Sequence, residues 1–136
     1  NNASQLKSAG SAVTSNIGNF NNGDILGLAV DMDNRALYVH LNGTYYQINS
    51  VTGVPTSGAS KTGAITIPTT CVDCVFFSAS YTANAKTTFN FGNGYFGTTA
   101  VTSAENPDDG IGIFEYDVPA GYRALCTTSL NVTEYS

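Results

Sequence analysis

A chain of 136 residues with formal charge −5 and only 11% charged residues is one domain by length, solubilised by Ser, Thr, Asn and Gly rather than by ions. Its five Lys and Arg are scattered as Lys7, Arg35, Lys61, Lys86 and Arg123; phosphate binding needs clustered cations, so nucleic acid is not an expected partner. No apolar run approaches the roughly 20 residues of a membrane span, and the chain is too apolar and aromatic for a disordered segment.

The chain starts in polar sequence with no initiator Met and no signal peptide, which suggests a processed product or a piece of a longer protein. Residues 1–20 carry isolated apolar positions without helical period, with one short strand expected near Ala12–Thr14. Asn21-Asn22-Gly23-Asp24 reads as a turn. Ile25–Met32 reads as a strand, with Leu26, Leu28, Val30 and Met32 on one face and Ile25, Gly27, Ala29 and Asp31 on the other. Both faces are largely apolar, as in a strand packed inside a sandwich. Asp33-Asn34 turns the chain into Ala36–Leu41, with Leu37, Val39 and Leu41 expected inward and Tyr38 and His40 opposite. Asn42-Gly43 is the strongest short hairpin signal, because both residues tolerate positive φ. Thr44–Ile48 continues as strand.

Asn49–Gly63 lacks period and reads as a long surface loop. A short strand is expected at Ala64–Ile67, a firm one at Val75–Tyr81, and a cleanly alternating one at Lys86–Phe91. Thr98–Gly110 is a second long loop. Ile111–Tyr116 reads as a strand or extended arm, Pro119–Tyr122 as a turn, Tyr122–Cys126 as a last short strand, and residues 127–136 as an exit segment. No helical apolar pattern persists, so essentially no helix is expected. Short strands separated by turns predict an all-β antiparallel sandwich over residues 1–126.

Three motifs then carry a family resemblance. Gly23-Asp24-Ile25-Leu26-Gly27-Leu28-Ala29-Val30-Asp31-Met32-Asp33 with Leu37-Tyr38-Val39 and Leu41-Asn42-Gly43 resembles the central hairpin of SPRY domains. Thr87-Thr88-Phe89-Asn90-Phe91-Gly92 resembles their Asn-Phe-Gly strand, and Pro119-Ala120-Gly121-Tyr122-Arg123-Ala124-Leu125 their closing segment. The tail Ala124-Leu125-Cys126-Thr127 is similar to the version found in tailed-phage virion proteins. The resemblance implies a lectin-like, concanavalin-like jelly-roll sandwich with a binding or structural role, no catalysis and no required cofactor. Only about 20 residues precede the hairpin where the family has several strands, so the expectation is either a sandwich incomplete at its N-terminus or one whose missing strands come from another segment or chain. The loops at 49–63 and 98–110 are long for the family.

The functional expectation is a non-enzymatic structural or binding protein on the virion surface of a tailed phage: a tail-fibre, receptor-binding or capsid-decorating module. Its partners would be other virion proteins or further copies of itself, with host-surface glycan recognition through loops 44–63 and 98–110 as a second role. The alternative is a cellular SPRY adaptor binding a peptide or protein partner. Tyrosine pairs an apolar ring with a hydroxyl, which suits protein and sugar contacts, and the candidate ligand-binding residues are Tyr45, Tyr46, Asn49, Tyr81, Asn84 and Tyr95. For most of these tyrosines sheet packing is the competing role; Tyr45-Tyr46 is the best pair, since adjacent strand residues face opposite ways.

Other chemistry fits less well. Asp31-Met32-Asp33-Asn34 lacks the Gly and Glu of a calcium loop, Ala36 and Asn42 standing at those positions, and reads as a turn bonded by its own side chains. His40, the single histidine, has no nucleophile motif or second metal ligand and reads as a packed strand residue. Glu105, Asp108, Asp109, Glu115 and Asp117 are close in sequence as glycosidase carboxylates must be in space, but they sit in loop-like surroundings. The three cysteines, Cys71, Cys74 and Cys126, allow at most one internal disulfide; free thiols and a local or long-range disulfide stand level, ahead of metal or redox chemistry. Asn2, Asn42 and Asn131 begin N-glycosylation sequons, which an Asn-rich chain produces by chance.

Overall fold

The computed structural model describes residues 7–8, 11–12, 20–48, 50–72 and 86–134, with only the backbone considered at 7–8, 11–12 and 132–134. The elements are mostly short strands in open antiparallel sheets, with few helices. The chain divides into two compact units, Asn1–Asp73 and Cys74–Ser136.

The first unit begins with a small hairpin of β1 (Lys7–Ser8) and β2 (Ser11–Ala12). Its main element is a four-stranded antiparallel sheet. β3 (Leu26–Asp31) pairs along its full length with β4 (Ala36–Leu41), in the register Leu26 to Leu41 through Asp31 to Ala36. The opposite edge of β4 is shared by two short strands, β5 (Thr44–Tyr45) beside His40 and Leu41 and β8 (Ile65–Thr66) beside Ala36 and Leu37. β4 is therefore the central strand. Between β5 and β8 come the hairpin β6 (Gln47–Ile48) and β7 (Val51–Thr52), then a 3₁₀ segment, Pro55–Ser60, kinked at Gly58.

Thr44–Ile48 is thus two strands, broken at Tyr46, and the segment 50–63 is folded rather than a plain loop. Tyr46 leaves the first ladder by donating its N–H to Val39 O and accepts the Gly53 N–H at 2.8 Å, which starts the next turn of chain.

The faces of the sheet differ from the expected ones. Ala36, Tyr38 and His40 form the more completely buried face of β4. Across from them β3 places Gly27 and Ala29, small enough for the Tyr38 and His40 rings to lie on the sheet. The 53–63 segment closes over Tyr38, which is 1% exposed and shares a 2.8 Å hydrogen bond with Ser57 Oγ. Ser57 Oγ also accepts the Thr62 N–H, fixing the segment's return. On the other face Val39 and Ile65 are buried, yet Leu26 and Leu28 are 38% and 40% exposed, and Met32 is exposed too.

Among the described residues the second unit has one short hairpin, β9 (Tyr95–Phe96) with β10 (Thr99–Ala100), whose second strand falls in the expected loop 98–110. Single bridges join Asn93 to Ile113 and Glu105 to Phe114. Lys86–Phe91 pairs with no described strand, and Tyr122–Cys126 forms none. The expected absence of helix is corrected at the end of the chain: α1 (Thr127–Glu134) is a helical stretch of eight residues. It lacks an apolar stripe, which is why periodicity missed it; instead Ser129 is buried and reaches Asp109. The expected strand Val75–Tyr81 lies outside the described residues.

Candidate functional site

A connected polar cluster lies at the end of the main sheet where β3 begins and β4 turns into β5. Asn42 and Gly43 both have positive φ, 49° and 82°, as a two-residue hairpin turn of matching twist requires. Asn42 then makes three hydrogen bonds to two residues. Its N–H donates to Ile25 O and its Oδ1 accepts the Ile25 N–H, both at 2.9 Å. Its Nδ2 donates to Asp24 Oδ1 at 2.8 Å, while Asp24 Oδ2 accepts the Asn21 N–H at 2.7 Å. The turn into β3 and the β4–β5 turn are one network. The Asn21 N–H, then Asn42, hold the Asp24 carboxyl below its usual range.

His40 sits just behind this network, 9% exposed. Its Nδ1 accepts the Gly43 N–H at 3.2 Å, which places the proton of the neutral ring on Nε2. Its ring meets that of Tyr45 edge-on, with centroids 5.3 Å apart and planes at 73°. A Cβ added at Gly27 would fall inside the imidazole, so glycine there is a condition of the ring's position. Burial lowers the His40 pKa. Burial, then the charge of Asp24, raises that of Tyr46.

At the other end of β3, Asp31 closes the acidic turn on itself. Its Oδ1 accepts the Asn34 N–H at 2.9 Å and its Oδ2 the Asn34 Nδ2 at 2.7 Å, and these contacts, the side-chain one first, hold its carboxyl below the usual range. The turn reading of Asp31–Asn34 therefore describes this segment. Arg35 Nη1 next to it donates to Pro68 O and Cys71 O, at 3.1 and 3.0 Å. Cys71 is disulfide-bonded, and Cys126 carries a free, half-buried thiol.

In the second unit side chains organise the loops. Asn90 donates to Ile113 O at 3.0 Å and accepts the Gly92 N–H at 2.8 Å and the Gly94 N–H at 3.4 Å. Glu115 accepts from both the hydroxyl and the N–H of Thr102, and these two contacts lower its pKa. That is the behaviour of a hydrogen-bond acceptor; a general acid needs a raised pKa. Asp108 accepts the Gly121 N–H at 3.0 Å. Asp109 accepts the Ile111 N–H at 3.0 Å and lies 3.8 Å from Arg123 Nε. These two acids, Gly121, Tyr122 and Arg123 line an open depression of about 410 Å³. Among the described residues no group of three or more His, Cys, Asp or Glu is placed to hold a metal ion.

Of the candidate ligand residues, Tyr45 and Tyr46 lie together, both half-buried, beside the Asp24–Asn42 network. Tyr95 belongs to the second unit, where it is half exposed on β9. Asn49, Tyr81 and Asn84 lie outside the described residues. Sequence reasoning missed the Gly27–His40 fit and the three-way role of Asn42. A glycine inside an apolar strand was the available signal for the first, because it marks a close approach. No known family model matches this chain, and neither a curated protein nor a solved structure is similar to it. Among the described residues no helix is long and apolar enough to cross a membrane.

Proposed function

We propose that this chain is a non-enzymatic assembly and binding module built as an SPRY-like β-sandwich, and that it serves on the outside of a tailed-phage particle. The observation that carries this reading is the state of β3. Among the described residues its outer edge has no strand beside it, and Leu26, Leu28 and Met32 stand exposed on its face. Open strand edges and exposed apolar patches are the surfaces through which β-domains join neighbours. The SPRY-like motifs at residues 22–43, 75–96 and 119–126 and the low charge add support. Sugar or protein contact by Tyr45 and Tyr46 is the second part of the proposal, because the Tyr45 ring packs on His40 and Tyr46 lies within the field of Asp24 at the same hairpin end.

The test is electron cryo-microscopy of the intact particle, together with a particle lacking this chain. The expected image repeats the chain with the symmetry of a shell or tail, with β3 covered by a neighbour. Particles that assemble and infect normally without it would overturn the assembly role.

A further inference from the structure

We infer that His40 is an acid-sensitive latch for the β4–β5 hairpin, holding the Asn42-Gly43 turn closed only while its ring is neutral. The geometry carries this. Nδ1 is the acceptor for the Gly43 N–H, at 3.2 Å. A proton added at Nδ1 would set one N–H against another, so the protonated ring must leave that position. It has little room to turn in place, because the Gly27 backbone lies against one side of the ring and Tyr45 meets it edge-on. The turn it would release is the one through which Asn42 binds Ile25 and Asp24. Opening the latch therefore frees the whole end of the sheet, including Tyr45.

Among the described residues, Tyr45, Asp31 and Asp24 are the titratable groups on β5, on β3 and on the turn into β3. On β5 the ring's neighbour is the Tyr45 phenol, which meets it edge-on. On the turn into β3, Asp24 is taken up by Asn21 and Asn42, and at the far end of β3, Asp31 is taken up by Asn34. The β3 residues across from His40 and Tyr38 are Gly27 and Ala29, which carry no charge. Burial is the cause that lowers the pKa of the closed ring. The open ring, at its ordinary value, binds more protons. Closure is therefore fully favoured above the ordinary histidine value and weakens as pH falls through it toward the closed-state value.

The experiment is amide hydrogen exchange by NMR on the full chain, read as protection factors and paired with the ¹⁵N shifts of the imidazole. Between about pH 7.5 and about pH 5 the protection of the Gly43 and Asn42 amides should fall roughly tenfold or more, with the β3–β4 amides at Ala29 and Val30 falling less. A His40→Gln variant, which keeps an acceptor and cannot titrate, should show no such fall. Equal pH dependence in that variant, or flat protection in the wild-type chain, would overturn the latch. Should His40→Gln fail to fold, the wild-type shifts decide. A ring protonated on Nε2 alone well below the ordinary pKa, losing that state together with the Gly43 protection, supports the latch. A ring that titrates at the ordinary value while the hairpin amides stay protected refutes it.

Discussion

The two units stabilise their backbones by different means. The first relies on a ladder: six consecutive residue pairs join β3 to β4, and the turns at each end are tied by Asp31 and Asn42. Among its described residues the second has a two-residue hairpin and two single bridges, and side chains do much of the remaining work. Asn90, Asn106, Asp108, Asp109 and Glu115 each bond a backbone group that a strand partner would otherwise satisfy. A ladder spreads its stability over many equivalent bonds, so it tolerates loss of one side chain but not a misfit between strands. A clamped loop concentrates stability in a few polar groups, each costly to delete because it leaves backbone donors unmet.

Substitutions can break that contrast. The largest expected effect is Gly27→Val. A branched side chain would have to evict the His40 ring, and overpacking of this kind should cost about 3 kcal/mol, read as a lower midpoint in urea denaturation. Next is Asn90→Ala, which strands the Gly92 N–H and removes the bond to Ile113. It should cost about 2 kcal/mol, with faster amide exchange at Gly92 and Ile113 but not along β3. Exchange that also rose along β3 would show that the two units do not respond separately. Asn42→Ala removes the side-chain bonds to Ile25 and Asp24 and places an ordinary residue at positive φ; about 1–2 kcal/mol should be lost, with Asn42→Gly recovering the backbone part.

The smallest effect is with acid. Asp24, Asp31 and Glu115 have carboxyls held below their ordinary values by the groups they accept from. The unfolded chain therefore binds protons more readily. Their support is complete above the ordinary carboxylate range and is lost as pH falls through the lowered values. Thermal melts from about pH 6 to about pH 3 should show the decline beginning near pH 4. Replacing Glu115 by Gln should flatten part of it.

The same contrast explains what could be read in the sequence. The first ladder was legible because alternation from Ile25 to Leu41 and the Asn42-Gly43 turn are both local signals. The buried face was misassigned because Leu and Val outrank Tyr and His in hydropathy, while the decisive fact was the small size of Gly27 and Ala29 across the sheet. The folding of 50–63 was hidden because it depends on one hydroxyl, Ser57, finding Tyr38 from 19 positions away. In the second unit the alternation at Lys86–Phe91 suggests a strand, but the polar clamps beyond it leave no period. Asn90 and Glu115 look like solvated residues until their partners are known. Of the candidate site, the Tyr45-Tyr46 pair was visible from the hairpin turn, but the Asp24–Asn42 tie that holds it was not.

The bond between Tyr38 and Ser57 has a spectroscopic consequence. The chain contains no tryptophan and eight tyrosines, so its near-ultraviolet absorption and emission are tyrosine signals. Tyr38 is shielded from solvent and hydrogen-bonded, which shifts its absorption to longer wavelength and protects it from aqueous iodide. Half-exposed Tyr95 stays open to that quencher. The protein thus carries an internal optical gauge. Loss of Tyr38's share of the iodide-resistant emission would report the 53–63 segment opening from the sheet, with no label attached.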